Sequence, residues 1–186
     1  MNVKIKRLHP DAVIPQYAHD YDAGFDLVAT EDVIVEPGET VKVPTGLAFE
    51  IPQGFEMQIR PRSGVTLKTK LRVQLGTVDA GYRGEVGVIV DNVSQKEYWA
   101  EDFSFIVEVT EDYELTDGTM KSSGYFQKWT SYQPKGTYLI RKGDRIAQAV
   151  IKRVEHAQFI EVDTLSETAR GDGGFGSSGV NVIGNN

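Results

Sequence analysis

Apolar and polar residues alternate at period two through much of the chain. Val41-Lys42-Val43-Pro44 and Phe55-Glu56-Met57-Gln58-Ile59-Arg60 each place their apolar side chains on one face of an extended strand. Similar short runs recur at 3–8, 33–36, 84–90, 138–141 and 159–162. Turn-forming clusters separate them, notably Glu36-Pro37-Gly38-Glu39, Ile51-Pro52-Gln53-Gly54 and Arg141-Lys142-Gly143-Asp144. Many short half-buried strands punctuated in this way predict an all-β sandwich or jelly-roll. One short helix is expected around 65–69, directly after Pro61-Arg62-Ser63-Gly64.

Two stretches break the pattern. Residues 92–137 join strand-like segments that a compact β-domain would link in a few residues, so this stretch reads as an inserted β-subdomain rather than a loop. It has strand patterns of its own, Phe103-Ser104-Phe105-Ile106-Val107-Glu108-Val109 and Tyr113-Glu114-Leu115-Thr116, the second closed by a two-residue hairpin turn at Asp117-Gly118. Its aromatic residues, among them Trp99, Phe103, Tyr125 and Trp129, form either a small core or a protein-binding surface. The tail, 166–186, is Gly-rich with little apolar periodicity. It is either a frayed terminus or, given Arg170 and Phe175 among the glycines, a lid that closes over a ligand. The expected organisation is a β-domain over 1–165, interrupted by the insert, followed by a flexible arm.

Composition narrows the chemistry. A chain of 186 residues, 40% hydrophobic and 25% charged, is expected to form one globular domain. It has no apolar run near the roughly 20 residues of a membrane span. Its amino terminus lacks the apolar stretch of a secretion signal, so a cytoplasmic location is expected. The absence of cysteine removes disulfides, thiolate nucleophiles and cysteine-ligated metals. His9, His19 and His156 lack the close spacing of a metal site. A net charge of −7 disfavours binding of long nucleic acid, yet Arg60, Arg62, Arg83, Arg141, Lys142, Arg145 and Arg170 cluster in or beside glycine-marked motifs. That placement suits a small polyphosphate.

Five such motifs carry the candidate chemistry. In Gly76-Thr77-Val78-Asp79-Ala80-Gly81-Tyr82-Arg83-Gly84-Glu85, glycines flank an aspartate and a tyrosine, as in a tight hairpin that exposes its backbone to a pyrimidine edge. The same residues also read as a plain turn with surface charges. Asp79 is the candidate general base, because a carboxylate can orient a water and take its proton; alternatively it makes an Asx-type backbone bond. In Pro61-Arg62-Ser63-Gly64, Arg62 can grip phosphate oxygens in a bidentate fork and Ser63 can donate to developing charge. Gly143-Asp144-Arg145-Ile146-Ala147-Gln148 offers Gln148, while Asp144 and Arg145 read as a structural ion pair at a strand end. Asp22-Ala23-Gly24-Phe25-Asp26-Leu27 brings two carboxylates beside a glycine, with Asp22 read as structural. The last motif is Arg170-Gly171-Asp172-Gly173-Gly174-Phe175-Gly176-Ser177-Ser178-Gly179.

In this order the five motifs resemble those of the homotrimeric dUTP pyrophosphatase (dUTPase) family, over roughly 1–91 and 138–179. The resemblance implies a jelly-roll fold, a homotrimer with three sites at subunit junctions, and Mg²⁺-dependent hydrolysis of dUTP to dUMP and pyrophosphate. It implies in-line attack of water on the α-phosphorus with Asp79 as base, and phosphate contacts from Gln148. The backbone of Gly76, Thr77 and Val78 would read uracil, and Tyr82 would pack under the deoxyribose and exclude a 2′-hydroxyl. Phe175 would stack on the base while Arg170, Gly176 and Ser177 hold the β- and γ-phosphates. Asp26 would lie near the metal through water. The insert resembles the extra segment of some bacteriophage members, which can also bind a repressor protein, so a second, regulatory role and a host-cytoplasm location follow as expectations. Two alternatives stand beside this reading: a dCTP deaminase of the same fold, and an interaction protein acting mainly through 92–137.

Overall fold

The computed structural model describes residues 1–95, 112–115, 120–122 and 135–173. The chain divides into two compact units, Met1–Glu155 and His156–Asn186. Among the described residues every regular element lies in the first: β1 (Lys4–Arg7), β2 (Phe25–Val28), β3 (Val33–Val35), β4 (Thr40–Glu50), β5 (Phe55–Pro61), α1 (Ser63–Lys68), β6 (Leu71–Val73), β7 (Gly76–Val78), β8 (Val86–Asn92), β9 (Asp112–Leu115), β10 (Met120–Ser122), β11 (Tyr138–Ile140) and β12 (Arg145–Arg153). They form three four-stranded sheets, ordered β1-β4-β8-β6, β2-β12-β5-β7 and β10-β9-β11-β3. The fold is all-β, as expected. No helix among the described residues is long and apolar enough to cross a membrane.

The alternation read from the sequence decides which side chains meet. Val86, Val88 and Val90 of β8, Met57 and Ile59 of β5, and Leu27 of β2 point into one core with Leu47, Leu71, Ile140 and Ile146. Each such side chain stabilises the fold by about 1.5–3 kcal/mol relative to exposure. The β4–β8 ladder slips between Pro44 and Leu47. Gly46 occupies that irregularity at φ 64, where a Cβ would lie 2.8 Å from His9 Cβ and 2.9 Å from Ala12 Cβ, so only glycine fits.

Two expectations are corrected. Residues 159–162 form no strand: they alternate in sequence but have no ladder partner, and Phe159 and Ile160 are 93% and 78% exposed. Residues 76–85 are not a ladder hairpin, because β7 pairs with β5 and β8 pairs with β4 and β6, so the segment crosses between sheets. β9 and β10 do pair, with Glu114 opposite Met120, and the expected turn at Asp117-Gly118 between them lies outside the described residues. β9 also runs parallel to β11, with Leu115 opposite Leu139, and so extends the third sheet. The insert's aromatic residues lie outside the described residues, apart from Tyr113, whose backbone belongs to β9.

The base of the insert is held by one buried side chain. Asn92 Nδ2 donates to the carbonyls of Val35 at 2.9 Å and Gly136 at 2.8 Å, and its Oδ1 accepts the Ser94 N–H at 3.0 Å. The residues that precede and follow the insert are thereby tied to β3.

Candidate functional site

The site is built on the second sheet. β12 lies between β2 and β5, with Gln148 opposite Asp26 on one side and Arg60 on the other. Their strand neighbours Phe25, Leu27, Ala147, Ala149 and Ile59 fill the core, so Asp26, Gln148 and Arg60 form a polar row on the opposite face. Gly24 lets the chain enter β2 tight against this row: a Cβ there would stand 3.0 Å from the Ala149 carbonyl oxygen and 3.1 Å from Gln148 Oε1. Gln148 Nε2 donates to the Pro61 carbonyl at 2.9 Å, which holds the amide at the end of β5.

At that end the chain turns directly into α1, with Arg62 as the extended residue before it. Arg62 Nε lies 2.9 Å from Asp26 Oδ1, and Arg62 Nη1 donates to the Arg145 carbonyl at 2.8 Å. The guanidinium is thus clamped across β2 and β12. Arg145 Nε approaches the other Asp26 oxygen at 3.6 Å. Asp26 therefore sits between two guanidiniums, and Arg145, read from the sequence as structural, belongs to the site. Asp144 closes the preceding turn by accepting the Arg141 N–H at 2.9 Å, with Gly143 at φ 93 as the third residue of a type II turn demands. Asp22 has the structural role expected of it, since Oδ2 accepts the His19 N–H at 3.0 Å.

These residues line an open cleft of about 760 Å³ that brings together Asp26, Arg62, Ser63, Arg145 and Gln148. Gln16, His19 and Lys68 line it too and were missed in the sequence. Lys68 was legible in principle, because it lies four residues after Gly64 on the same helix face. Gln16 and His19 carried no signal: they come from the irregular segment before β2, which is docked by the edge-on contact of Tyr17 with Phe25 at 5.7 Å. Three cations, Arg62, Lys68 and Arg145, face three carboxylates, Asp22, Asp26 and Asp144. Among the described residues no group of three His, Cys, Asp or Glu side chains is placed to hold a metal.

The remaining predicted residues lie elsewhere. Gly76, Thr77 and Val78 form β7 against Ile59, Gln58 and Met57, and none of them lines the cleft. Beyond Val78 the chain makes a tight turn in which the Tyr82 N–H donates to the Asp79 carbonyl at 3.0 Å. Arg83 Nη1 braces this turn through the carbonyls of Ala80 at 2.6 Å and Tyr82 at 2.8 Å. The Asp79 residue is exposed. Asp79 leaves β7 at the Met57 end of β5, whereas Arg62 and Ser63 follow Pro61 at the other end. From Met57 to Pro61 is roughly 13 Å of strand at ~3.3 Å per residue. In the second unit, Arg170 lies in a turn where its Nε donates to the Gly173 carbonyl at 2.8 Å. Phe175, Gly176 and Ser177 lie outside the described residues.

Sheets carrying an arginine, hydroxyl and amide cleft, with a separate glycine-rich turn, define the jelly-roll class of β-protein. The dUTPase family model matches residues 11–101 and 133–179, and the chain belongs to that family. It is 42% identical to the deoxyuridine 5'-triphosphate nucleotidohydrolase of Thermobifida fusca over 99% of this chain and 82% of the relative. Staphylococcus bacteriophage 80alpha dUTPase, solved with dUPNHPP in work on phage dUTPases that control transfer of virulence genes, superposes with a TM-score of 0.83. It is 33% identical and covers 96% of this chain and 99% of its own. A mutant dUTPase from phage phi11 of S. aureus, described with a coordinated structural Mg(II) ion, gives a TM-score of 0.76 at 28% identity, covering 88% of this chain and 98% of its own. The dCTP deaminase alternative has no support from these matches.

Proposed function

We propose that the chain is a dUTP diphosphatase that hydrolyses dUTP to dUMP and pyrophosphate at sites completed by more than one copy of itself, in a homotrimer. One observation carries this reading: Arg62, Ser63 and Gln148 line the cleft at one end of β5, while Asp79 and Tyr82 leave β7 at the other. A second copy brings the missing turn to the cleft. Water activated by Asp79 attacks the α-phosphorus, its proton passes to the carboxylate, and pyrophosphate leaves. Arg62 is pre-oriented by Asp26 and the Arg145 carbonyl, which leaves Nη2 for a phosphate oxygen. Ser63 and Gln148 add neutral donors. Gly76, Thr77 and Val78 present backbone to uracil, Tyr82 underlies the deoxyribose, and Arg170, Phe175, Gly176 and Ser177 cover base and phosphates. With cations and carboxylates balanced in the cleft, a triphosphate needs further positive charge. The donor set suits Mg²⁺ carried in by the nucleotide, with Asp26 holding it through water, and the bound ion supplies charge neutralisation.

The test is complementation. Asp79→Asn and Arg62→Met proteins, each inactive, are unfolded together and reassembled. Random mixing restores about a quarter of wild-type turnover if each site draws Asp79 and Arg62 from different chains; a mixture as inactive as its parents contradicts the composite site. A second role, binding a repressor protein through 92–137, is favoured by the sheet order, in which β10, a strand of the insert, is an edge of the third sheet among the described residues and so a place for a partner to dock. Deleting 95–135 should abolish repressor capture and spare turnover; retained capture contradicts this role.

A further inference from the structure

Tyr82 is 45% exposed, so burial does not fix its ring. The two residues at the end of its own turn do. Its hydroxyl donates to the Glu85 carbonyl at 3.0 Å. The ring folds back over Gly84, where a Cβ would stand 2.6 Å from Tyr82 Cζ and 3.0 Å from Cε2. All three atoms nearest to that absent Cβ belong to Tyr82. Glu85 is anchored in turn, because its carboxylate accepts the Gly46 N–H at 2.8 Å, and Gly46 is wedged against His9, Ala12 and Thr30. The ring's pose is thus set outward from the β4 scaffold.

We propose that Gly84 is a positioning residue for sugar selection: the missing side chain lets Tyr82 lie in the pose that excludes a 2′-hydroxyl, with the Glu85 carbonyl as its anchor. This rests on the reading of Tyr82 as the residue under the deoxyribose. Gly84 is not among the positive-φ glycines, so the backbone itself accepts a side chain there. What stands in the way is the far end of an exposed ring, which swings aside at little cost to folding. The damage falls on selectivity, which is a difference between two substrates.

The experiment compares kcat/KM for dUTP and UTP, by pyrophosphate release, in wild type, Gly84→Ala, Tyr82→Phe, Tyr82→Ala and the Gly84→Ala/Tyr82→Ala double variant. Gly84→Ala should lower the dUTP-to-UTP ratio about tenfold or more. Tyr82→Phe keeps the ring and loses the anchor, so it should lower the ratio in the same direction by less. In the Tyr82→Ala background, Gly84→Ala should change the ratio no further, because the two act as one unit. A wild-type ratio in Gly84→Ala beside a relaxed ratio in Tyr82→Ala overturns the inference and leaves the Tyr82 reading standing. An unchanged ratio in Tyr82→Ala overturns both, and additive effects in the double variant overturn the role of Gly84. Should Gly84→Ala fail to fold, Tyr82→Phe decides: a wild-type ratio there removes the anchor and with it the proposal.

Discussion

Arg62 illustrates how few contacts make a binding group. Nε and Nη1 are spent on Asp26 and the Arg145 carbonyl, so the guanidinium meets a ligand already oriented and with little rotamer freedom left to lose. Lysine cannot make both contacts at once, and Arg62→Lys should raise KM for dUTP about tenfold or more, read from steady-state kinetics. Asp79 is held differently. Its carbonyl accepts the Tyr82 N–H and the residue is exposed, a setting that suits the water-activating base proposed for it. Asp79→Asn keeps that turn and removes the base, so kcat should fall about a hundredfold or more with nucleotide affinity little changed. Equal losses in kcat and in analogue affinity would instead assign Asp79 to binding. That Arg62, Ser63 and Gln148 share a candidate site was legible from residue type and order. That Arg145 joins them was not, since its link to Asp26 exists only once β2 lies beside β12.

At the scale of elements, hydrophobic alternation predicted β1, β3, β4, β5, β8 and β11 and missed β2, β6 and β12. In β12 Ile146 and Ala147 are buried in succession where the register with β2 shifts, and Val150 and Ile151 are both half-buried, so the segment carries no clean period of two. The reverse error at 159–162 has the same root: alternation states what a strand would bury, while a strand also needs a partner. Two hinges of the architecture are open to direct tests. Asn92→Ala strands the buried carbonyls of Val35 and Gly136, and should lower stability by about 2 kcal/mol, seen as a reduced urea midpoint. The turn before β12 is tied down by Lys142, whose N–H donates to Asp32 Oδ1 at 2.8 Å and whose ammonium lies 2.6 Å from Asp11 Oδ2. The hydrogen bond from Lys142 holds the Asp11 carboxyl below the usual carboxylate range, with slight burial acting the other way. A folded-state pKa below the unfolded one adds stability above the ordinary carboxylate pKa, and that stability is lost as pH falls through the folded value. Lys142→Met should therefore melt lower than wild type at neutral pH, and the gap should close as pH falls below the ordinary carboxylate pKa. A gap independent of pH would show that the variant acts through something other than this pair.

At the scale of the molecule, in the proposed reading each protomer carries the parts of a site without assembling them. Among the described residues the core of the first unit runs no further along the chain than Ile151 of β12, and truncation after Thr168 should leave the melting temperature and the oligomer intact. Turnover should fall about a hundredfold, because Arg170, Phe175, Gly176 and Ser177 are lost together. A truncated protein with full activity would remove the arm from the site. The central claim is that these separated motifs combine to cleave one nucleotide. Its most direct test is steady-state pyrophosphate release with Mg²⁺, comparing dUTP with dCTP, dTTP and UTP. Cleavage of dUTP in strong preference to the other three is the predicted result. Equal cleavage of all four, or release from none, would contradict the assignment of the 76–85 turn to uracil and deoxyribose and of Asp79 to the attacking water.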